Sequence, residues 1–267
     1  MKDILSEIIA HKRIEIELQK QAVSLERLQE EVAAMMQKDA TAGTSVAIPV
    51  RSMKQALASS PTGIIAEFKR RSPSKGWIHE TARAEEIPAA YETAGASAVS
   101  ILTDEKFFGG SLQDIRMARP LIGIPILRKD FIIDEYQLLQ ARIVGADAVL
   151  LIAACLTQEE CATLTARAHA LGLEVLLEIH TFSELAYVNA DVDMVGVNNR
   201  NLGTFVTDVK NSFHITENSG RYRPQPWILP TAKACRYLFR KAEFHIPKPF
   251  AGCALQASAA SLSEKPL

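Results

Sequence analysis

Short apolar runs alternate with helix-like segments from residue 63 to residue 197, and that rhythm limits what this chain can fold into. The runs are Gly63–Phe68, Ala98–Leu102, Pro125–Leu127, Ala148–Ile152, Val175–Ile179 and Met194–Val197. Helical stretches fall between or beside them at 82–94, 111–119, 134–144, 157–170 and 181–189. Strands separated by helices at this spacing read as βα units and a parallel sheet. Ala94-Gly95-Ala96-Ser97-Ala98-Val99-Ser100-Ile101-Leu102 is echoed fifty residues later by Val144-Gly145-Ala146-Asp147-Ala148-Val149-Leu150-Leu151-Ile152. A repeat of that size equals two βα units, and in each copy a glycine closes the helix before the next strand. No G-x-G-x-x-G follows the first run, which argues against a Rossmann dinucleotide site. Six legible units in 267 residues predict a (β/α)8 TIM barrel, an α/β fold whose last two units must come from 213–267.

Composition narrows the partners. With 48% hydrophobic and 23% charged residues the chain can bury a sizeable core without disulfides or metal. Thirty basic residues against thirty-one acidic ones argue against a dedicated nucleic-acid or membrane-surface binder. The four cysteines form no C-x-x-C pair. The longest charge-free stretch, 249–263, is mostly Ala and Ser and too short to span a bilayer. Met1-Lys2-Asp3 runs directly into charged helix, so no signal peptide is expected and a cytoplasmic location is. Residues 3–37 read as helical with Asp3 as N-cap, and Leu5, Ile8, Ile9 and Ile16 lie on one side. The expected organisation is a helical extension at 1–50, βα units one to six at 51–212, and an atypical segment at 213–267.

In such a barrel reactive groups stand at the carboxyl ends of the strands, and alternation decides which of them point inward. Glu67 and Lys69 share a face of the first run, as do Leu127, Lys129 and Phe131 of the third. Glu178 is in line with Leu176, and Asn198 with Gly196, with Arg200 just beyond. A single charge at a strand end ordinarily marks only where the strand meets solvent. Four strands with the same parity and complementary charges point to a site, because inward-facing charge needs partners or a ligand. A lysine–glutamate cluster in a restricted pocket suits acid and base catalysis. Arg71, Lys75 and Arg200 would make its mouth attractive to an anionic small molecule. Gly109-Gly110 gives a flexible loop that presents Phe108, although Phe108 and Phe131 taken alone read as core residues. His180 has no accompanying Ser or Cys nucleophile motif.

Ile64-Ile65-Ala66-Glu67-Phe68-Lys69-Arg70-Arg71-Ser72-Pro73-Ser74-Lys75-Gly76 closely resembles the first-strand motif of indole-3-glycerol phosphate synthases. So do Ile101-Leu102-Thr103-Asp104-Glu105-Lys106-Phe107-Phe108-Gly109-Gly110-Ser111, Leu127-Arg128-Lys129-Asp130-Phe131-Ile132, Leu176-Leu177-Glu178-Ile179-His180 and Gly196-Val197-Asn198-Asn199-Arg200-Asn201-Leu202 in their places. The resemblance, in order and spacing, covers about residues 1–212. It implies conversion of 1-(o-carboxyphenylamino)-1-deoxyribulose 5-phosphate to indole-3-glycerol phosphate, carbon dioxide and water, in tryptophan biosynthesis. No metal or organic cofactor is implied. By analogy Lys129 is the general acid of ring closure, and Glu178 and Lys69 serve dehydration as base and acid, with Glu67 orienting and charge-balancing them; the two lysines could exchange roles between the steps. Asn198, Arg200, Ser72 and Arg71 would bind substrate polar groups, and Phe108 and Phe131 would hold its aromatic ring.

The pattern stops after Asn211-Ser212. The last 55 residues hold no Val and no Asp, half of the twelve prolines, and eight basic against three acidic residues. No convincing seventh or eighth strand is legible there, and only Thr231–Glu243 looks helical. A shifted reading frame near Phe213 is favoured over a divergent tail as the explanation. The alternatives kept open are a barrel remnant that only binds a ligand or partner, and another sugar-phosphate-binding barrel enzyme.

Overall fold

Each of the six apolar runs becomes a strand: β1 Ile65–Phe68, β2 Ala98–Leu102, β3 Ile126–Lys129, β4 Ala148–Ile152, β5 Glu174–Ile179 and β6 Met194–Val197. They pair in parallel, each with the next, in an unbroken series from Ile65 beside Ala98 to Ile179 beside Val197. The computed structural model describes residues 4–41 and 51–199, together with the backbone of 238–240, 242–243 and 256–257.

Alternation sorts the strand side chains into two clusters. Phe68, Val99, Ile101, Ile126, Val149, Leu151, Val175 and Leu177 face outward, onto Ile115, Leu138, Ala141, Leu164 and Ala168 of the surrounding helices. Ile65, Ala98, Leu127, Ala148, Leu150, Leu176 and Met194 face inward. A sheet buried on both faces needs near-continuous apolar strands, which is why the runs were legible. The helices are α4 Ile87–Thr93, α5 Glu105–Phe108, α6 Leu112–Ala118, α7 Glu135–Val144 and α8 Gln158–Ala170. Capping boxes at Asp134 with Gln137 and at Thr157 with Glu160 start α7 and α8. Gly95 and Gly145, at φ 90° and 88°, supply the left-handed turns that the repeat implied.

The helical extension consists of two helices, and the Asp3 cap lies outside the described residues. The extension breaks at Val23-Ser24 into α1 Ile4–Ala22 and α2 Leu25–Thr41. Ile16, Leu28 and Val32 bury against Tyr136 and Leu139 of α7, and the Tyr136 hydroxyl donates to the carbonyls of Gln19 and Val23. One helix without a sequence-level expectation, α3 at Met53–Ser59, plugs the floor of the barrel with Met53 and Leu57. Its cap Ser52 donates to Glu174 at the start of β5, and the Lys54 N–H donates to the same carboxylate.

The expected helix at 231–243 is corrected where the chain is described. Leu238–Arg240 is a strand, β7, parallel to β6 with Val195 beside Leu238. Ala242–Glu243 (β8) pairs antiparallel with Gln256–Ala257 (β9), and β9 meets β1 antiparallel at Ala66 and Ala257. Both edges of the six-stranded sheet therefore gain a partner, contrary to the expectation of no strands. The antiparallel pairing on β1 is nonetheless not that of a regular barrel, so the last units are atypical as read. The rest of 213–267 lies outside the described residues, as does Arg200.

Gly110 is set by a close approach. A Cβ there would lie 2.1 Å from the Leu102 carbonyl oxygen at the end of β2. Gly110→Ala should cost roughly 1–3 kcal/mol or more by forcing the loop off the strand. A lower urea midpoint at unchanged slope would register it.

Candidate active site

β1 carries Glu67 to the upper rim of the sheet and Lys69 follows two residues later on the same face. One Glu67 carboxylate oxygen accepts from Lys69 Nζ at 2.6 Å, and the other pairs with Lys129 Nζ, from the end of β3, at 3.0 Å. The side chains of Glu67 and Lys69 are 7% exposed and that of Lys129 is 18% exposed. One carboxylate thus holds two ammonium groups from different strands in a mostly dry site, and both ammonium groups border the cavity where an anionic ligand would lie. Glu178, at the end of β5, accepts from Asn198 Nδ2 of the β6 end at 2.9 Å, and His180 Nε2 stands 3.4 Å from the same oxygen.

These groups open into one cavity of about 100 Å³, bordered by Glu67, Lys69, Ser72, Phe108, Lys129, Phe131, Glu178 and Asn198. The structure brings together eight of the ten residues that sequence reasoning selected. Phe108 and Phe131 face each other with ring centres 6.1 Å apart and planes inclined at 38°. Ser72 is buried in a small hairpin formed by Arg71–Ser72 and Gly76–Trp77, where its hydroxyl accepts from the Lys75 N–H. Arg70, beside it, forks onto both oxygens of Asp114 at 2.7 Å and ties the loop after β1 to α6.

Arg71 is placed differently from the expectation. Its guanidinium donates to the Lys106 carbonyl at 3.0 Å and lies over the Trp77 ring at 5.6 Å, away from the residues that border the cavity. A carbonyl and an aromatic face satisfy a guanidinium well at a solvent-facing loop. Sequence reasoning also missed one wall: Ile4, Leu5 and Ile8 of α1 border the cavity. Their signal was the apolar stripe on α1, read there only as a packing face.

A second charge cluster adjoins the cavity through Asp130. Lys12 of α1 is fully buried, 3.0 Å from Asp104, 3.0 Å from Asp130 and 2.8 Å from Glu15. Burial alone would push the Asp130 carboxyl up. The Lys12 ammonium, the Arg128 guanidinium and the Thr103 hydroxyl overcome it and hold the group at about 2. Burial would likewise lower Lys12, but Asp130 and Asp104 outweigh it and keep the ammonium charged. A carboxyl with a depressed folded pKa binds fewer protons folded than unfolded. Its stabilisation is therefore full above about pH 4 and lost as the pH falls through about 2. The stability difference between the parent and Asp130→Asn should shrink by about 2 kcal/mol from pH 5 to pH 2. Urea titrations at the two pH values measure it, and a difference that stays constant would contradict the assigned ionisation.

Lysines and carboxylates gathered in one cavity, shielded from most solvent and at the strand ends of a parallel barrel, are the groups of a barrel-type acid–base enzyme. Comparison with known proteins narrows that class. The family model described as indole-3-glycerol phosphate synthase matches residues 5–222. An indole-3-glycerol phosphate synthase of Bacteroides thetaiotaomicron is 67% identical over 215 residues, 80% of this chain and 78% of its own. One from Neisseria meningitidis serogroup B is 47% identical over 210 residues, 77% of this chain and 76% of its own. One from Burkholderia vietnamiensis is 41% identical over 218 residues, 81% and 80% of the two chains. The chain belongs to the indole-3-glycerol phosphate synthase family.

Proposed function

We propose that the cavity closes the indole ring, converting 1-(o-carboxyphenylamino)-1-deoxyribulose 5-phosphate to indole-3-glycerol phosphate with loss of carbon dioxide and water. The observation that carries the reading is the Lys69–Glu67–Lys129 arrangement, sharing one cavity with Glu178 and the Phe108–Phe131 pair. Two ammonium groups suit a substrate bearing a carboxylate and a phosphate, and the two rings suit its aminobenzoate moiety.

In this reading Lys129 gives a proton to the ketose carbonyl oxygen as the ring carbon bearing the carboxylate attacks the carbonyl carbon. The new carbon–carbon bond interrupts aromaticity. Departure of carbon dioxide, whose bonding pair returns to the ring, restores it. Glu178 then takes a proton while Lys69 protonates the departing hydroxyl, and water leaves. Glu67 pairs with both lysines and aims them. Asn198 fixes the Glu178 carboxylate and, with Ser72 and Arg200, contacts substrate polar groups. Such positioned transfers contribute roughly 10²–10⁴-fold each. The substrate is a soluble metabolite, and a cytoplasmic location goes with this reading.

A second reading, a barrel that binds the ligand without turning it over, is favoured by the antiparallel pairing of β9 on β1. Adding the anilino-ribulose phosphate and following indole fluorescence separates the two. Growing fluorescence supports ring closure, whereas saturable binding without it supports the second reading. Among the described residues no helix is long and apolar enough to cross a membrane.

A further inference from the structure

A lysine without solvent exposure is costly, and Lys12 is held among three carboxylates, one of which, Asp130, borders the cavity. Buried ion clusters are poor stabilisers, because desolvation offsets much of their attraction and apolar residues of like volume often do as well. What such a cluster does supply is a fixed geometry. Each of its members belongs to an element that carries a group facing the cavity. Lys12 is one helical turn beyond Ile8 on α1, and Ile8 borders the cavity. Asp104 caps α5 by accepting the Phe107 N–H at 2.8 Å, and α5 ends with Phe108. Asp130 stands between Lys129 and Phe131, and its Oδ1 accepts the Phe131 N–H at 2.9 Å. Its Oδ2 accepts from the Thr103 hydroxyl at 2.7 Å and pairs with Arg128 at 3.0 Å.

We propose that Lys12, Asp104 and Asp130 form a positioning cluster for the ring-closure site. A single buried ammonium joins the backbones that carry Ile8, Phe108, Lys129 and Phe131, and so sets the gap between the two rings and the reach of the Lys129 ammonium. None of the three touches the reacting atoms in this scheme; they act through their neighbours. The role rests on the ring-closure reading of the same cavity.

The test uses the full chain with Asp130→Asn and Lys12→Met, each alone and combined with Lys129→Ala. In the parent background each should lower kcat by roughly 10–100-fold, the usual penalty for displacing a reacting group by about an ångström. In the Lys129→Ala background the same change should cost several-fold less than in the parent, because the positioned ammonium is gone and only the effect on the two rings is left. Equal losses in both backgrounds would overturn the proposal, since general loosening of the fold acts on both alike. If Lys12→Met does not fold, Asp104→Asn replaces it, because asparagine retains the helix cap while removing the charge. Amide exchange gives a readout free of turnover. Asp130→Asn should raise exchange in α1 and 105–108 more than in α7 and α8, beyond what its lower overall stability gives everywhere, and a rise no larger in either segment than in α7 and α8 would overturn the cluster. A parent chain that produced no indole-3-glycerol phosphate would sink the ring-closure reading alone, with exchange still deciding whether the cluster ties the two segments together.

Discussion

Lys129→Ala should lower kcat by roughly 10²–10⁴-fold, equivalent to about 3–5 kcal/mol of lost transition-state stabilisation. The expectation follows from where the ammonium stands. It leaves the end of β3 into a cavity where Glu67, 3.0 Å away, pairs with it and restricts its direction. Truncation leaves no orphaned buried charge behind, because Glu67 retains Lys69 at 2.6 Å. Folding should therefore be almost unchanged, and far-UV circular dichroism melting checks that point independently of activity. Lys129→Arg should not restore the rate: a guanidinium keeps the charge but is far too weak an acid to give up its proton at neutral pH. Initial rates of indole fluorescence measure both variants. Near-normal turnover by Lys129→Ala would remove this residue from the mechanism and shift the acid role to Lys69, its partner across Glu67.

The features legible in the sequence were those fixed by local periodicity. Strand alternation has a period of two, so Ile65, Glu67 and Lys69 had to share a face, as did Leu127, Lys129 and Phe131. Glu67, Lys69, Lys129, Glu178 and Asn198 could be assembled without coordinates because a parallel barrel puts its strand ends together. What stayed hidden depends on partners distant in sequence. Arg71 turns out to the Lys106 carbonyl and Trp77, neither of which the alternation of β1 constrains. The floor plug of Met53 and Leu57 takes its place from Ser52 and Lys54 meeting Glu174, more than a hundred residues later. Leu238-Phe239-Arg240 has a helical neighbourhood in sequence, yet pairing with β6 makes it a strand. Lys12 did leave a signal. It falls on the stripe of Leu5, Ile8 and Ile16, and a charge set in an apolar stripe requires buried partners of opposite sign.

Glu178→Gln should separate the two halves of the proposed reaction. Glutamine keeps the length and planarity of the side chain and still offers Asn198 Nδ2 an acceptor in place of the carboxylate oxygen now 2.9 Å away. The substrate should therefore bind with KM within about threefold of the parent, since a group that acts on the transition state and not on binding lowers kcat alone. Basicity is lost outright, because an amide cannot take the proton that dehydration releases. A fall in kcat of roughly 10²–10³-fold is expected, within the usual yield of a positioned base. Ring closure and decarboxylation depend on Lys129 and should continue, so a species heavier than the product by one water should accumulate. Rapid quenching and mass spectrometry would detect it. If instead KM rises with kcat unchanged, Glu178 serves binding, and the proton must leave through another group. His180, 3.4 Å from the same oxygen, would then be the first to replace. If kcat falls and no hydrated species accumulates, Glu178 acts before decarboxylation, and its pairing with Asn198 would serve ring closure.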